Sequence, residues 1–416
     1  MARRKIGLVI VGGLGDVCLT RKYSAFYGTD LSSKFDILSI IDIYDEIRVK
    51  NEGEIDDLFK YIKKEKIKGK FESDIEIILK NNLLNSINYI KIDKDNPKLP
   101  DKFFENIEED DIIDISTPNK FHLGLAKQVL EKHGNLVIEK PIVNSLEDLI
   151  ELESLLKNIS LNKRKIMDAE HYSHYGNVKK YLQDFKLISA DVVRGYGLGK
   201  VKKIELTIEE KEDFVNERNR EIIEVERSGG GIWMDTGIHA IAFLRNMGAK
   251  IDYSSVEAQP YKSHDEIIQD EKYGETGIEV SFDIKSGEFF SDKCRAEIKV
   301  SKCCSLQNKK FVIDYDNGKV EIDIPNRTIH SFNRKGTPIF DYYGYGDAFY
   351  HVFDDMRKSI IHDEEPLTSI DKAIWNVRDI FLIYSKAKKL KKLEYGEHRF
   401  SSFPTPKVEI TNNSRK

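Results

Sequence analysis

Cysteine is scarce in this chain, and what there is does not pair. Cys18, Cys294, Cys303 and Cys304 are the only four in 416 residues. The adjacent pair has no second pair at zinc spacing, so neither a disulfide framework nor a structural metal site is expected, and the usage suits a reducing cytoplasm. Long apolar runs are missing too. No segment approaches the roughly 20 apolar residues of a membrane helix. The run Ile6 to Val11, which follows a basic start, is too short for a signal sequence and meets glycines at once, so it reads as a first buried strand. Nor is there a block of one charge. The 66 basic and 71 acidic side chains give a formal net charge of -5 and alternate along the chain. Neither nucleic acid nor a membrane surface is expected as a partner.

What the chain does have is length and enough apolar material for more than one core, with 40% hydrophobic and 33% charged residues. Its first third alternates strand and helix: "KIGLVIV", "FDILSIID", "DIIDIS" and "NLVIEK" are β-branched runs, with the helical "FHLGLAKQVLEKHG" between the last two. Such alternation predicts a parallel sheet with right-handed crossovers. Between 50 and 100 lies an excursion with two apolar stripes, Ile55, Leu58, Phe59 and Ile62, then Ile75, Ile78, Leu79 and Leu83, read as surface helices. "NSLEDLIELESLLKN" reads as a capped helix and "RKIMDAEHY" as a strand. Then the pattern changes. "KVKKIELTIEE", "IEVSFDIKS", "CRAEIKVS", "KKFVIDYD" and "GKVEIDI" alternate as antiparallel strands with one covered face. Two helices follow, and the tail is polar. The expected fold class is an α/β Rossmann dinucleotide-binding domain, 1–168, plus an α+β domain with a large, mostly antiparallel open sheet, 169–345. Closing helices fill 346–403 and a loose tail 404–416.

Four stretches carry chemistry. The first strand runs into Gly13, Leu14, Gly15, Asp16 and Val17, with Cys18 where a G-x-G-x-x-G motif has its last glycine. Glycines there let the backbone turn under a pyrophosphate that sits at the start of the next helix. The second strand ends at Asp42, where an acid accepts hydrogen bonds from a ribose. The next strand opens into Ser116, Thr117, Pro118 and Asn119, with His122 beyond, at the edge where ligands lie in an open α/β sheet. Glu139 and Lys140 end another strand, and an ammonium is rarely placed there for packing. Lastly, "RSGGGIWMDTGIHAIAFL" puts Asp235 and His239 four residues apart on a mostly buried helix, on one face. Two readings compete for that pair: a helix cap with a core histidine satisfied by Asp235, or an acid/base pair in a cleft. His171 and His174, with Asp168 and Glu170, invite a metal, but strand spacing would split them between faces, and none is expected.

"STPNKFH", "EKP" and "GGGIWMDTGIH", in that order, resemble the glucose-fructose oxidoreductase, inositol dehydrogenase and rhizopine-catabolism (Gfo/Idh/MocA) family of sugar dehydrogenases. "SIDKAIWNVRDIFLIYSKAKK" resembles that family's closing helix. The opening "GGLGDVCLTRKYSAFY" is instead similar to the glucose-6-phosphate dehydrogenase loop, and "AEHYSHYG" faintly to a stretch of that enzyme that contacts substrate phosphate. The resemblance implies an NAD(P)-dependent oxidoreductase acting on a sugar, polyol or sugar phosphate. It implies Lys140, Asp235 and His239 as catalytic residues, with His171, Tyr172 and Trp233 beside the substrate, and a cis bond before Pro141. NAD is expected over NADP. Arg21 and Lys22 are expected to turn toward the diphosphate or solvent, and the glycines 229–231 to let the backbone pass close to substrate. A homodimer or homotetramer is expected, since the open sheet needs a cover. Two rival readings are a lyase or glycosidase using bound NAD for transient oxidation, and a cofactor-bound regulator.

Overall fold

The computed structural model describes residues 5–43, 73–159, 164–190, 197–211, 221–262, 270–302 and 307–388, with isolated residues between 53 and 60 and between 390 and 398. Strands β1 (Ile6–Val11), β2 (Phe35–Asp42), β3 (Asn88–Lys91), β4 (Ile112–Ile115), β5 (Asn135–Ile138) and β6 (Ile166–Asp168) pair in parallel in the order β3-β2-β1-β4-β5-β6. Every residue of β1, β4 and β5 is buried, as continuous apolar runs covered on both faces should be. The order reverses between β1 and β4, the switch point where open α/β sheets hold ligands.

Register then brings the motifs together. Val11 lies opposite Ile115, Ile115 opposite Ile138, and Ile138 opposite Asp168. The ladder continues one step past the strands, with Ser116 N–H donating to Val11 O, Glu139 N–H to Ile115 O and Ala169 N–H to Ile138 O at 2.7–2.9 Å. The glycine turn, Ser116, Glu139 and Asp168 therefore leave the sheet side by side.

The second sheet holds ten strands. They are β7 (Val201–Glu209), β8 (Glu257–Lys262), β9 (Gly277–Ile284), β10 (Phe290–Ser301), β11 (Asn308–Tyr315), β12 (Gly318–Asp323), β13 (Thr328–Asn333), β14 (Pro338–Tyr343), β15 (Leu390–Lys392) and β16 (Glu397–His398), in the order β14-β13-β12-β11-β7-β10-β9-β8-β15-β16. Neighbours are antiparallel except β7 with β10 and β8 with β15. The five alternating runs seen in the sequence are β7 and β9 to β12. The other five were not foreseen: β8 carries Pro260, and β13 to β16 are short or edge strands with little apolar contrast.

One face of this sheet is covered by α-helices. Tyr181 and Phe185 of the helix Gly176–Ala190 and Phe243 of the helix Ile238–Asn246 pack onto it, with Phe243 and Phe311 ring centres 4.7 Å apart. Ile238, Ile241, Phe243 and Leu244 are all buried, at about 1.5–3 kcal/mol of apolar burial each. The helix carrying His239 is thus held in place by its own apolar residues.

Of the excursion, the stripe Ile75, Leu79 and Leu83 is the buried side of the helix Ser73–Asn85, while Ile78 is 39% exposed. The first stripe lies outside the described residues except for Phe59, which is buried. The cap of the helix Leu146–Asn158 is Ser145, which accepts from Asp148 N–H. Cys303, Cys304 and the polar tail lie outside the described residues. Among the described residues no helix is long and apolar enough to cross a membrane, and no His, Cys, Asp or Glu cluster could hold a metal.

Candidate active site

β1 ends in a turn whose left-handed residue is Gly12, φ +80°, one position before the Gly13 that the motif singles out. Its N–H donates to Ile41 O at 2.7 Å and its carbonyl accepts from Gly15 N–H at 3.0 Å. A Cβ on Gly12 would stand 2.7 Å from Ser116 O, so only glycine lets β1 and β4 leave the sheet this close together. Asp42 braces the turn: Oδ2 accepts from Leu14 N–H at 2.8 Å and Oδ1 from Ile43 N–H at 2.7 Å.

These residues fit a nicotinamide dinucleotide. Added to Gly15, a Cβ would come within 3.2 Å of Gly12 O, so glycine keeps the turn tight there. Asp16 and Val17 begin the following helix, with Val17 37% exposed. Thr117 Oγ1, on the adjoining loop, is buried with no hydrogen-bond partner. A glycine turn leading into a helix start is where a dinucleotide's diphosphate is held.

Lys140 follows β5, and its bond to Pro141 is cis. Its ammonium donates to Asp235 O at 2.7 Å and Oδ1 at 2.8 Å, while Lys302 donates to Asp235 Oδ2 at 2.7 Å. Lys302 follows β10, and Glu210 follows the neighbouring β7, with Glu210 N–H bonded to Ser301 O. Glu210 in turn binds Lys302 at 3.4 Å, Lys309, and Tyr172 OH at 3.0 Å. Burial alone would raise the Asp235 carboxyl, but the two ammonium groups outweigh it and hold Asp235 well below the carboxylate range.

His239 stands beside this ion cluster. Its Nδ1 is 2.5 Å from Glu170 Oε1, and the Glu170 carboxylate also accepts from Tyr172 N–H at 3.1 Å and Ser173 N–H at 2.8 Å. The imidazole lies flat on Tyr172, ring centres 3.9 Å apart at 12°. His171 meets it edge-on at 4.9 Å and stacks on Phe349. Burial lowers the His239 pKa, more than its bond to Glu170 raises it, so the ring is neutral at pH 7. Glu170 is held ionised: burial would raise it, but His239 and the Ser173 amide lower it further. A neutral imidazole whose Nδ1–H points at a carboxylate presents Nε2 as a base.

Residues 96–161 match the model described as the oxidoreductase family with an NAD-binding Rossmann fold, Gfo/Idh/MocA. That span holds Ser116 to Asn119, Glu139 and Lys140. Over that span the chain is similar to the NAD-binding Rossmann domain of the Gfo/Idh/MocA oxidoreductases. An uncharacterized oxidoreductase of Escherichia coli (strain K12), YdgJ, is 29% identical over 131 residues, 32% of this chain and 34% of that protein, so the match spans about a third of that relative. Solved structures extend the likeness in fold. Aldose-aldose oxidoreductase from Caulobacter crescentus superposes with TM-score 0.63 at 16% identity, over 92% of this chain and 97% of that one. UDP-N-acetylglucosamine 3-dehydrogenase GnnA from Acidithiobacillus ferrooxidans gives 0.61 at 12%, over 92% and 98%. A tyrosine-to-phenylalanine mutant of KijD10, a 3-ketoreductase from Actinomadura kijaniata, in complex with TDP-benzene and NADP, gives 0.63 at 9%, over 94% and 99%.

The structure places several of the expected site residues elsewhere. Trp233 is fully buried and its ring packs on Gly237, so it is a core residue and not a substrate contact. His122 is fully buried with Nδ1 against Pro141 O and Nε2 against Thr117 O, so it ties two loops together from beneath and does not face a cofactor. Leu14 is likewise fully buried, its N–H already given to Asp42. The glycines 229–231 approach protein, not a ligand: a Cβ on Gly229 would fall 2.0 Å from Asn144 O, one on Gly230 2.8 Å from Tyr384 OH, and one on Gly231 2.3 Å from Glu275 Oε2. Asp235 and His239 are not each other's partners, because a wide five-residue turn, Trp233–Gly237, precedes the helix and each finds its own counter-ion. His171 and His174 stand in a turn that follows the three-residue β6, not on a strand. Lys22 is 1% exposed and turned inward, away from diphosphate and solvent, whereas Arg21 is exposed.

Tyr172 and His171 line the His239 ring. Glu170, Glu210 and Lys302 join the site unforeseen as partners. Their only sequence signal is position: each sits one or two residues past a strand end, Glu170 after β6 of the parallel sheet and Glu210 and Lys302 after β7 and β10 of the second.

Proposed function

We propose that the chain is an NAD(P)-dependent dehydrogenase that moves hydride between a nicotinamide and a CH–OH carbon of a sugar, polyol or sugar phosphate. The observation that carries this reading is the neutral His239, backed by ionised Glu170, beside Asp235, whose partner Lys140 leaves the same edge as the glycine turn. When bound, nicotinamide supplies the hydride acceptor. The protein's part is proton handling and orientation. His239 Nε2 takes the hydroxyl proton as the carbinol C–H electrons depart and the C=O bond forms, and the Nδ1–H to Glu170 stabilises the resulting imidazolium. The Lys140 ammonium faces the developing alkoxide, and Asp235 fixes its direction. Residues for the cofactor are the turn Gly12 to Val17, the loop Ser116 to Asn119 and Lys140. Asp42, at the end of β2, supports NAD over NADP.

A screen of sugars, inositols and hexose phosphates, followed by the absorbance of reduced nicotinamide with each cofactor, tests the reading. Turnover of none of them, with no binding of either dinucleotide, overturns it. We also propose a homodimer or homotetramer, which light scattering of the purified chain decides.

A further inference from the structure

Lys22 is 1% exposed, the most buried cation among the described residues of the nucleotide-binding half, on the turn that follows the glycine loop. Its ammonium reaches Asp114 Oδ1 and Oδ2 at 2.9 Å each, Ser116 Oγ at 2.7 Å and Glu139 Oε1 at 2.9 Å. The rings of Phe349 and Phe353 close over it at 5.6 and 5.9 Å. Packing alone does not call for such an arrangement. Burying an ammonium costs several kcal/mol, and an apolar side chain among neutral neighbours holds a core equally well. What the charge adds is direction, because its acceptors stand on two adjacent strands at their ligand-bearing ends.

Successive side chains leaving a strand point to opposite faces. Glu139 is drawn inward to Lys22, and the next residue, Lys140, points the other way, to Asp235. Resting on the dehydrogenase reading above, we propose that Lys22 is the positioning residue for Lys140: by gripping Glu139 from inside the fold it sets the direction in which Lys140 leaves β5. The same ammonium holds Ser116, so the loop beside the cofactor and the lysine share one anchor.

The test compares the wild type with Lys22→Met, with Lys22→Met/Asp114→Asn, which removes a cation and an anion together, and with Glu139→Gln and Glu139→Ala. Without cofactor or substrate, the rate at which an N-hydroxysuccinimide ester labels Lys140 is read by peptide mass spectrometry. Because the 2.9 Å contact of Lys22 with Glu139 is an ion pair, this rate should rise several-fold in the double variant and in both Glu139 variants, as Lys140 leaves Asp235. With a turned-over substrate, kcat per folded molecule should fall on the order of 10²-fold, the size of a misplaced catalytic group. The deuterium isotope effect on kcat should rise, and KM should move by less than about threefold. Unchanged Lys140 labelling in a folded double variant, or unchanged kcat and isotope effect, overturns the proposal. Labelling is independent of the reaction, so an absence of dinucleotide binding in the wild type would sink the dehydrogenase reading and leave this one standing on its own readout.

Discussion

His239 Nδ1 and Glu170 Oε1 stand 2.5 Å apart although 69 positions separate them in sequence. The carboxylate fixes both the tautomer and the tilt of the ring, the two properties a base needs before it meets a substrate. His239→Asn should therefore lower kcat by a factor on the order of 10² or more, with dinucleotide binding, followed by fluorescence titration, nearly unchanged. Glu170→Gln should lower kcat less, since the imidazole remains. Wild-type turnover in His239→Asn would remove the ring from the mechanism.

The same pair predicts a pH profile. Burial holds His239 below its ordinary 6.5, so in the oxidation direction kcat/KM should be level through neutrality. It should fall only when acid protonates the ring, with the inflection under 6.5. An acid limb centred well above that value would assign the base to another group.

Lys140 is mostly buried, its side chain 13% exposed and that of its partner Asp235 19%. Lys140→Ala should abolish turnover while melting within a few degrees of wild type. Lys302→Met, which removes the other ammonium from Asp235, should lower kcat more mildly. A large fall in melting temperature, with activity retained per folded molecule, would make Lys140 a structural residue.

Glu275 lies under the turn that carries Asp235. Burial pushes its carboxyl from 4.5 to about 7, partly offset by the bonds it accepts from Tyr384 OH at 2.6 Å and Trp233 N–H at 2.8 Å. A carboxyl with a raised folded pKa binds its proton more tightly when folded. Its stabilising contribution is full below 4.5 and is lost as pH rises through about 7, on the order of 3 kcal/mol in all. Glu275→Gln, fixed in the neutral state, should therefore gain on the wild type as pH rises through that window, measured by urea unfolding. A stability difference that does not change with pH would mean Glu275 is ionised throughout.

The proposed preference for NAD rests on Asp42. Like charges about 4 Å apart at an effective dielectric near 20 repel by roughly 4 kcal/mol, so kcat/KM should favour NAD, and Asp42→Ser should narrow the gap. Because Asp42 also holds Leu14 and Ile43 N–H, that variant should weaken binding of both cofactors. Wild-type preference for NADP would place another residue at the ribose.

Much of this fold is legible from periodicity. β1, β2, β4 and β5 are apolar runs ending in glycine, acid or lysine, and their order alone puts the motifs at one edge. The five overlooked strands of the second sheet show why the rest is not legible: edge and short strands are stabilised by their neighbours, not by their own pattern. The same limit applies to single residues. Trp233 and His122 carry the chemistry of site residues, but whether a ring faces a crevice or a core depends on packing from distant segments. Lys22 is the converse case, a residue that reads as solvent-facing until Asp114, 92 positions away, folds over it.

Thr368 Oγ1 donates to Asp168 O, and Asp168 N–H donates to Thr368 O, across 200 positions. The helix Ile370–Tyr384 that follows sends Arg378 to Glu153 and Tyr384 OH to Glu275. On the ribosome, then, the parallel sheet is synthesised early but its last edge stays bare until nearly the whole chain has emerged. Contacts of such sequence separation form late and slowly. A nascent chain halted before Ser369 exposes the side of β6 that abuts the catalytic edge, and it is at this seam that chaperones and proteases would first sense an unfinished molecule.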